Sequence, residues 1–190
     1  YSKFTCLDLA VILGLYCSEK NKSIYKDCFL TFNSTPQFIN LTDTPGLALR
    51  LNMVTKAPWG GSTNLEASFN LILQKAIEAK VPQELMPSHV LIISDGQFNS
   101  MCRGGLPIDA IKLKYLAAGY EVPKVIFWNV RTTDNVQVTM DESNTALVSG
   151  YSPAALKSVF NADFEDFSPI NIMLDILNEP KYQIEYEEKV

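Results

Sequence analysis

Three short, mostly apolar runs lie between residues 90 and 149, and they constrain the fold of the chain more than any other feature. They cover residues 90–94, 125–130 and 146–149. Strands that are apolar on both faces are typical of a parallel sheet covered by helices on both sides. Segments with helical patterning separate the runs, and this alternation predicts an α/β sheet with right-handed crossovers. We therefore predict that the three runs are parallel neighbours in one sheet.

The helical segments differ in how their apolar residues are distributed. Residues 64–80 have one apolar face, which predicts an amphipathic helix. Residues 7–18 are apolar nearly all round, which predicts a helix packed on several sides. The remaining predicted helices cover residues 45–54 with Pro45 in the first turn, 107–118 closed by Gly119, 153–160 and 170–177.

An antiparallel hairpin is predicted between the first two helices. Residues 27–32 and 37–41 have strand character, and the turn residues Asn33-Ser34-Thr35-Pro36 separate them. We place this hairpin at an edge of the sheet.

Composition bounds the class of protein. A chain of 190 residues with 47% hydrophobic and 19% charged residues suits a single folded domain. The net charge of −5 without a Lys/Arg cluster argues against direct nucleic-acid contact. No apolar run reaches the length of a membrane span, and residues 6–17 fit a buried helix better than a signal peptide. The four cysteines match no zinc motif. We expect a cytoplasmic or virion-associated protein that is not secreted.

Two segments carry oxygen donors where a loop or strand leads into a helix. Thr63 follows Gly60-Gly61-Ser62, and Asp95 follows the first buried strand directly. Ligands of open parallel sheets bind beyond the carboxyl ends of the strands, and Mg²⁺ takes hard oxygen donors. We therefore predict that Thr63 and Asp95 approach each other at this edge as metal ligands. Structural interpretations stay open, because Thr63 with Glu66 fits a capping box and Asp95-Gly96 fits a turn.

These motifs resemble the von Willebrand factor A domain. The resemblance rests on Gly60-Gly61-Ser62-Thr63-Asn64 before an amphipathic helix and on residues 92–98. The chain is also similar to a poorly characterised branch of that family, found in large DNA viruses, plants and fungi and akin to the domain of the Ro ribonucleoprotein autoantigens. The similarity covers residues 7–160, and residues 127–131 and 146–152 are its most specific parts.

The resemblance implies a Rossmann-like, mostly parallel sheet flanked by helices, and one Mg²⁺ or Mn²⁺ whose shell a carboxylate of a protein partner completes. The family's loop-two Thr corresponds to Thr63, and its loop-three Asp corresponds to Asp95. Its first loop, Asp-x-Ser-x-Ser, and the strand before that loop have no counterpart in the sequence. We expect residues 1–190 to form a single domain that lacks this strand and metal loop, either because the sequence is a fragment without its N-terminal portion or because the fold is altered. With two protein ligands, metal binding should be weak or absent.

From this resemblance we predict that the protein is a non-catalytic protein-interaction module with a partial metal-ion-dependent adhesion site. Trp59, Ser62, Asn64 and Gln97 flank the two ligands in sequence, and they are the candidates for contact with the partner. We assign no catalytic residue, because the single histidine, His89, has no evident nucleophile. The alternatives are a metal-dependent hydrolase or phosphatase and a structural component of a ribonucleoprotein or virion.

Overall fold

The described residues form a mixed α/β structure with two sheets. The computed structural model describes residues 4–59, 64–94, 108–131, 145–149, 173–174, 177–178 and 180–182. In chain order the helices and strands are α1 (Cys6–Lys20), β1 (Cys28–Leu30), β2 (Phe38–Asn40), α2 (Leu47–Thr55), α3 (Leu65–Ala79), β3 (His89–Ser94), α4 (Ile108–Ala117), β4 (Lys124–Asn129) and β5 (Thr145–Ser149). Single 3₁₀ turns cover Gln83–Leu85 and Pro180–Tyr182.

The prediction of three parallel neighbouring strands is confirmed. β4 lies between β3 and β5 and pairs with both in parallel. The register aligns Ser94 with Asn129 and Asn129 with Ser149, so all three strands end at the same edge. β4 is buried from Val125 onward, which agrees with its uninterrupted apolar pattern.

Helices α3 and α4 form the main core with this sheet. The apolar face of α3 packs in one cluster with Ile111 and Tyr115 of α4 and with Ile92 of β3. The buried Tyr115 donates a hydrogen bond from its hydroxyl to the carbonyl oxygen of Phe69, at 2.8 Å, and thereby ties α4 to α3. The observed α3 and α4 each agree with the predicted helix to within one residue at either end.

The hairpin is antiparallel as predicted, but within the described residues it forms a sheet of its own. β1 pairs only with β2, with Phe29 opposite Ile39. A second apolar cluster lies on this side of the molecule and joins α1, the hairpin and α2 through Val11, Leu15, Leu41 and Val54. The predicted position at the edge of the parallel sheet is therefore not observed. Among the described residues, neither β1 nor β2 pairs with a strand of the parallel sheet.

Helix α1 is packed less completely than its composition predicts. Val11 and Leu15 are buried, whereas Ile12 and Tyr16 are each 44% exposed. The start of α2 also differs from the prediction. Gly46 precedes the helix with φ +78°, outside the helical region, so Pro45 is excluded from the first turn.

Two predicted helices fall wholly or largely outside the described residues. Residues 153–160 are not described, and of residues 170–177 only three are. Within the described part of the chain, no helix is long and apolar enough to cross a bilayer.

Candidate functional site

Four of the six predicted site residues lie outside the described residues. These are Ser62, Thr63, Asp95 and Gln97, so their distances from one another are not defined. Trp59 and Asn64 are described, and so are the elements that lead into Thr63 and Asp95. The surroundings of the candidate site are therefore defined by these described neighbours.

Asn64, rather than Thr63, caps helix α3. The Asn64 side-chain oxygen accepts a hydrogen bond from the backbone N–H of Ala67 at 2.9 Å. Glu66 contacts Lys114 of α4 instead, with 2.8 Å between Oε1 and Nζ. The capping-box interpretation of Thr63 and Glu66 is thus wrong, because the helix begins one residue later than that motif requires. Asn64, a candidate for partner contact, has a structural role through this oxygen.

The described residues on either side of residues 60–63 are hydrogen-bonded to the residues that follow β1. The carbonyl oxygen of Phe32 accepts a hydrogen bond from the backbone N–H of Asn64 at 3.0 Å. The side-chain amide of Asn33 donates to the carbonyl oxygen of Pro58 at 2.9 Å. These two bonds fix both anchor points of the intervening glycine-rich segment relative to the hairpin.

Trp59 is tied to the end of helix α2. Its indole N–H donates to the carbonyl oxygen of Val54 at 2.8 Å, and its side chain remains 36% exposed. The Val54 carbonyl oxygen, near the C-terminus of the helix, also accepts a hydrogen bond from the backbone N–H of Ala57 at 2.9 Å, so Trp59 adds a side-chain donor to it. Trp59 therefore combines a structural bond with an accessible ring surface beside the loop.

The carboxyl edge of the sheet carries small polar side chains. Ser94 and Asn129 are both buried at the ends of β3 and β4. Asn129 accepts a hydrogen bond from the backbone N–H of Arg131 at 2.9 Å, and Arg131 itself is exposed just beyond the strand. Asp95 directly follows Ser94 in sequence, and Ser94 is the buried last residue of β3.

The described residues contain no cluster of three or more His, Cys, Asp or Glu side chains able to hold a metal ion. Asn33 supplies a candidate oxygen donor that the sequence analysis did not include. Its buried Oδ1 has no hydrogen-bond partner among the described atoms. A buried carbonyl-type oxygen without a partner is costly, and this one lies beside the anchored loop. No metal-site pattern marks Asn33 in the sequence, since Asn33-Ser34-Thr35-Pro36 has the composition of a simple turn.

A deep apolar groove lies between the two sheets. It has a volume of about 790 Å³ and is lined by α1, β1, β3 and the first half of α3. Asn33, Trp59 and Ser94 are all part of its wall, so the candidate site adjoins this groove. We call this space the inter-sheet groove.

The titratable groups described here favour structural roles. Burial raises the pKa of Cys17 to about 11, so its thiol is protonated and unreactive at neutral pH. Burial also raises the pKa of the Tyr115 hydroxyl well above its usual value. The histidine His89 lies at the amino end of β3 with its Nδ1 2.9 Å from Oγ of Ser88. This neighbour contact is at the opposite end of the strand from Asp95.

Comparisons with known proteins place the chain in a family. A family model described as "Domain of unknown function (DUF7788)" matches residues 2–182. The chain belongs to this family. It is also similar to an uncharacterised protein of Acanthamoeba polyphaga mimivirus, with 33% identity over 175 residues. That match covers 90% of this chain but only 30% of the viral protein, and no solved structure matches. The predicted relationship to viral proteins is confirmed, while the family description leaves the function open.

Proposed function

We propose that the protein is a non-catalytic interaction module of the von Willebrand factor A type. In this proposal Thr63 and Asp95 hold one Mg²⁺ or Mn²⁺, and a carboxylate from a protein partner completes the coordination shell. Trp59 and the residues that flank the two ligands would contact the partner. The hydroxyl and carboxylate supply the hard oxygen donors that such ions prefer.

The observation that carries the proposal is the capping of α3 by Asn64. This bond and the Glu66–Lys114 ion pair account for the first turn of the helix without the Thr63 hydroxyl. The main structural alternative for Thr63 is thereby removed. Thr63 directly precedes the cap residue in sequence, and the described residues Pro58 and Asn64 on either side of it are both hydrogen-bonded to the segment after β1.

The dimensions of the β-strand and helix support a shared location for the two ligands. α3 has 15 residues and is about 22 Å long, while β3 has six residues and is about 20 Å long. A short connection joins the end of α3 to the start of β3, and both pack in one core cluster. A helix and strand of similar length that run back along each other after this connection would have the start of α3 near the end of β3, which supports the proposal.

Metal binding to residues 1–190 should be weak, because one carboxylate and one hydroxyl offset little of the dehydration of Mg²⁺. Mn²⁺ is therefore the practical probe, since the free ion gives an electron paramagnetic resonance signal that decreases on binding. We expect Mn²⁺ binding that Asp95→Ala abolishes and Thr63→Ala weakens. Asp43→Ala is the matched control, because Asp43 is an exposed loop carboxylate on the hairpin side.

A carboxylate probe separates the interaction function from simple metal binding. Acetate added at millimolar concentration should tighten Mn²⁺ binding to the unmodified chain and have no effect on Asp95→Ala. Binding that is equally strong in Asp95→Ala and Asp43→Ala would refute the assignment of the ligands. Turnover of generic phosphate or ester substrates that depends on Asp95 would refute the non-catalytic proposal.

A further inference from the structure

We propose that Arg131 is a second carboxylate contact at the proposed metal site, so that the protein partner recognised there presents two acidic side chains close together. One carboxylate completes the metal shell, and the other pairs with the Arg131 guanidinium. This inference rests on the proposed function, because the first carboxylate needs the metal ion. It adds to that function the class of partner, which is a diacidic segment of a protein.

Arg131 lies where the central strand reaches the surface at the carboxyl edge of the parallel sheet. Residues 125–130 are buried, whereas Arg131 is exposed. The side-chain oxygen of Asn129 accepts a hydrogen bond from the backbone N–H of Arg131 at 2.9 Å. A bond of this kind, to the residue two positions later, forms an Asx turn. The backbone of Arg131 is therefore fixed relative to β4 while its side chain remains accessible to solvent.

Strand register places Arg131 beside the point at which Asp95 is attached to the sheet. Ser94 is aligned with Asn129, and the carbonyl oxygen of Ser94 accepts a hydrogen bond from the backbone N–H of Val130 at 2.9 Å. The carbon of this same carbonyl group is bonded covalently to Asp95. Neighbouring strands lie about 4.8 Å apart, and Arg131 follows directly after Val130. In the proposed site, the Arg131 side chain is therefore within reach of a carboxylate bound beside Asp95.

The two arginines that the structure describes differ in their availability for a ligand. The Arg50 side chain is 15% exposed, pairs with Asp27 and also donates to the carbonyl oxygen of Thr44. None of the ion pairs among the described residues involves Arg131. A guanidinium group binds a carboxylate through two parallel hydrogen bonds. Arg50 therefore has a structural role, whereas Arg131 is available to bind a carboxylate of the partner.

Charge complementarity determines the number of carboxylates that the proposed site accommodates. The divalent ion carries two positive charges, of which the carboxylate of Asp95 neutralises one. Arg131 adds another, because its guanidinium stays protonated at any physiological pH. A single partner carboxylate therefore leaves one positive charge unbalanced, and a second carboxylate balances it. The chain as a whole has a net charge of −5, so attraction of an acidic partner depends on this local positive charge.

Binding of short acidic peptides to the protein in millimolar Mn²⁺, followed by fluorescence anisotropy, tests the proposal. The diacidic peptides are blocked at both ends, carry a fluorophore and contain two aspartates separated by one, two or three glycines. Each matched monoacidic peptide has asparagine in place of the second aspartate. At the spacing that spans the metal and Arg131, the diacidic peptide should bind about fivefold more tightly than its matched peptide.

Substitutions of Arg131 separate its contact with the partner from a structural role. Arg131→Gln should remove the preference for the diacidic peptide and leave the affinity for the monoacidic peptides unchanged. The variant keeps the backbone N–H that bonds to Asn129, so the protein should remain folded. Arg131→Lys should retain only part of the preference, because an ammonium group cannot form the two parallel hydrogen bonds. Lys26→Gln is the matched control, since it removes a positive charge from an exposed loop residue before β1 and should leave the preference intact.

Three results would overturn the proposal, and they differ in what they imply for the proposed function. Metal-dependent binding of both kinds of peptide with equal affinity at every spacing would refute the role of Arg131 alone. No binding of either kind in the presence of Mn²⁺ would refute the capture of a carboxylate by the metal and the inference with it. Tighter Mn²⁺ binding by Arg131→Gln, with unchanged relative affinities for the peptides, would show that Arg131 pairs with Asp95 instead.

Discussion

At the scale of single residues, local hydrogen bonding decides which polar side chains remain available for function. Asn64 and Thr63 are adjacent, and both residue types cap helices well. The structure gives the cap to Asn64 and pairs Glu66 with Lys114. A sequence pattern such as Thr-x-x-Glu does not reveal this choice, because it depends on the residue at which the helix begins.

The cap makes a direct prediction about stability. Asn64→Ala removes the acceptor for the N–H of Ala67 and should lower the free energy of unfolding by about 1 kcal/mol. Asn64→Asp keeps an acceptor at this position and adds a charge that the helix dipole favours, so it should retain most of the stability. Urea unfolding followed by circular dichroism measures both values. Equal stability of Asn64→Ala and the unmodified protein would show that another residue caps α3.

At the scale of helices and strands, the alternation of apolar runs and helical patterns correctly predicts the parallel strands and the order of elements. Those features depend on local periodicity and on burial, which is nearly complete along β4 and partial along β3. The separation of the hairpin from the parallel sheet could not be predicted in this way. Strand pairing depends on which edges meet in space, and an apolar pattern such as that of residues 27–32 gives no information about the neighbouring strand.

The site is less predictable than the fold for a related reason. The positions of Thr63 and Asp95 at the ends of predicted elements follow from the sequence, but their coordination does not. Asn33 was not anticipated, because its relation to the loop arises from contacts between residues 25 positions apart. The hydrogen bond from Trp59 to Val54 could not be predicted either, because the sequence around Trp59 indicates only an aromatic residue on a loop.

The Arg50–Asp27 ion pair connects the residue before β1 to helix α2. It should contribute more to the free energy of unfolding than the exposed Lys114–Glu66 pair. Arg50 and Asp27 are 2.6 Å apart with side chains only 15% and 11% exposed, and Arg50 also donates to the carbonyl oxygen of Thr44. Arg50→Met should therefore destabilise the protein by about 3 kcal/mol, because it leaves a largely buried carboxylate without its partner.

Lys114→Met is the matched comparison for this ion pair. Nζ of Lys114 and Oε1 of Glu66 are 2.8 Å apart, a similar separation, but both side chains are more than 40% exposed. Losing such a pair should cost less than about 1 kcal/mol. Chemical denaturation of the two variants gives the difference. Similar losses for Arg50→Met and Lys114→Met would show that burial does not strengthen the Arg50–Asp27 pair.

At the scale of the whole molecule, two clusters of buried residues line the inter-sheet groove, and the elements of each carry a weak acid that is shielded from solvent. Tyr115 lies in the cluster of α3, α4 and the parallel sheet, and the half-buried Cys17 lies on α1, which supplies Val11 and Leu15 to the other cluster. Burial raises the pKa of both groups. Their neutral forms are therefore favoured in the folded protein.

This arrangement predicts a loss of stability at alkaline pH. The folded-state pKa of each group is above its unfolded value of 9.0 for Cys17 and 10.0 for Tyr115. Their contribution to stability is complete below these values and declines as the pH rises from about 9, with the Cys17 part lost by about pH 11. Cys17→Ala should flatten the decline between pH 9 and 11, and Tyr115→Phe should flatten it above pH 10. Denaturation midpoints measured across this range would contradict the prediction if the variants and the unmodified protein have parallel profiles.

The two tryptophans report on different parts of this architecture. Trp128 is fully buried in the central strand β4, whereas Trp59 is 36% exposed in the wall of the groove. Iodide should therefore quench the fluorescence of Trp59 and leave that of Trp128 almost unaffected. A Trp59→Phe variant would show the emission of Trp128 alone. Subtracting its spectrum from that of the unmodified protein would give the emission of Trp59 in the groove wall. The chain thus carries an intrinsic optical probe for occupancy of the groove, separate from the signal of global unfolding.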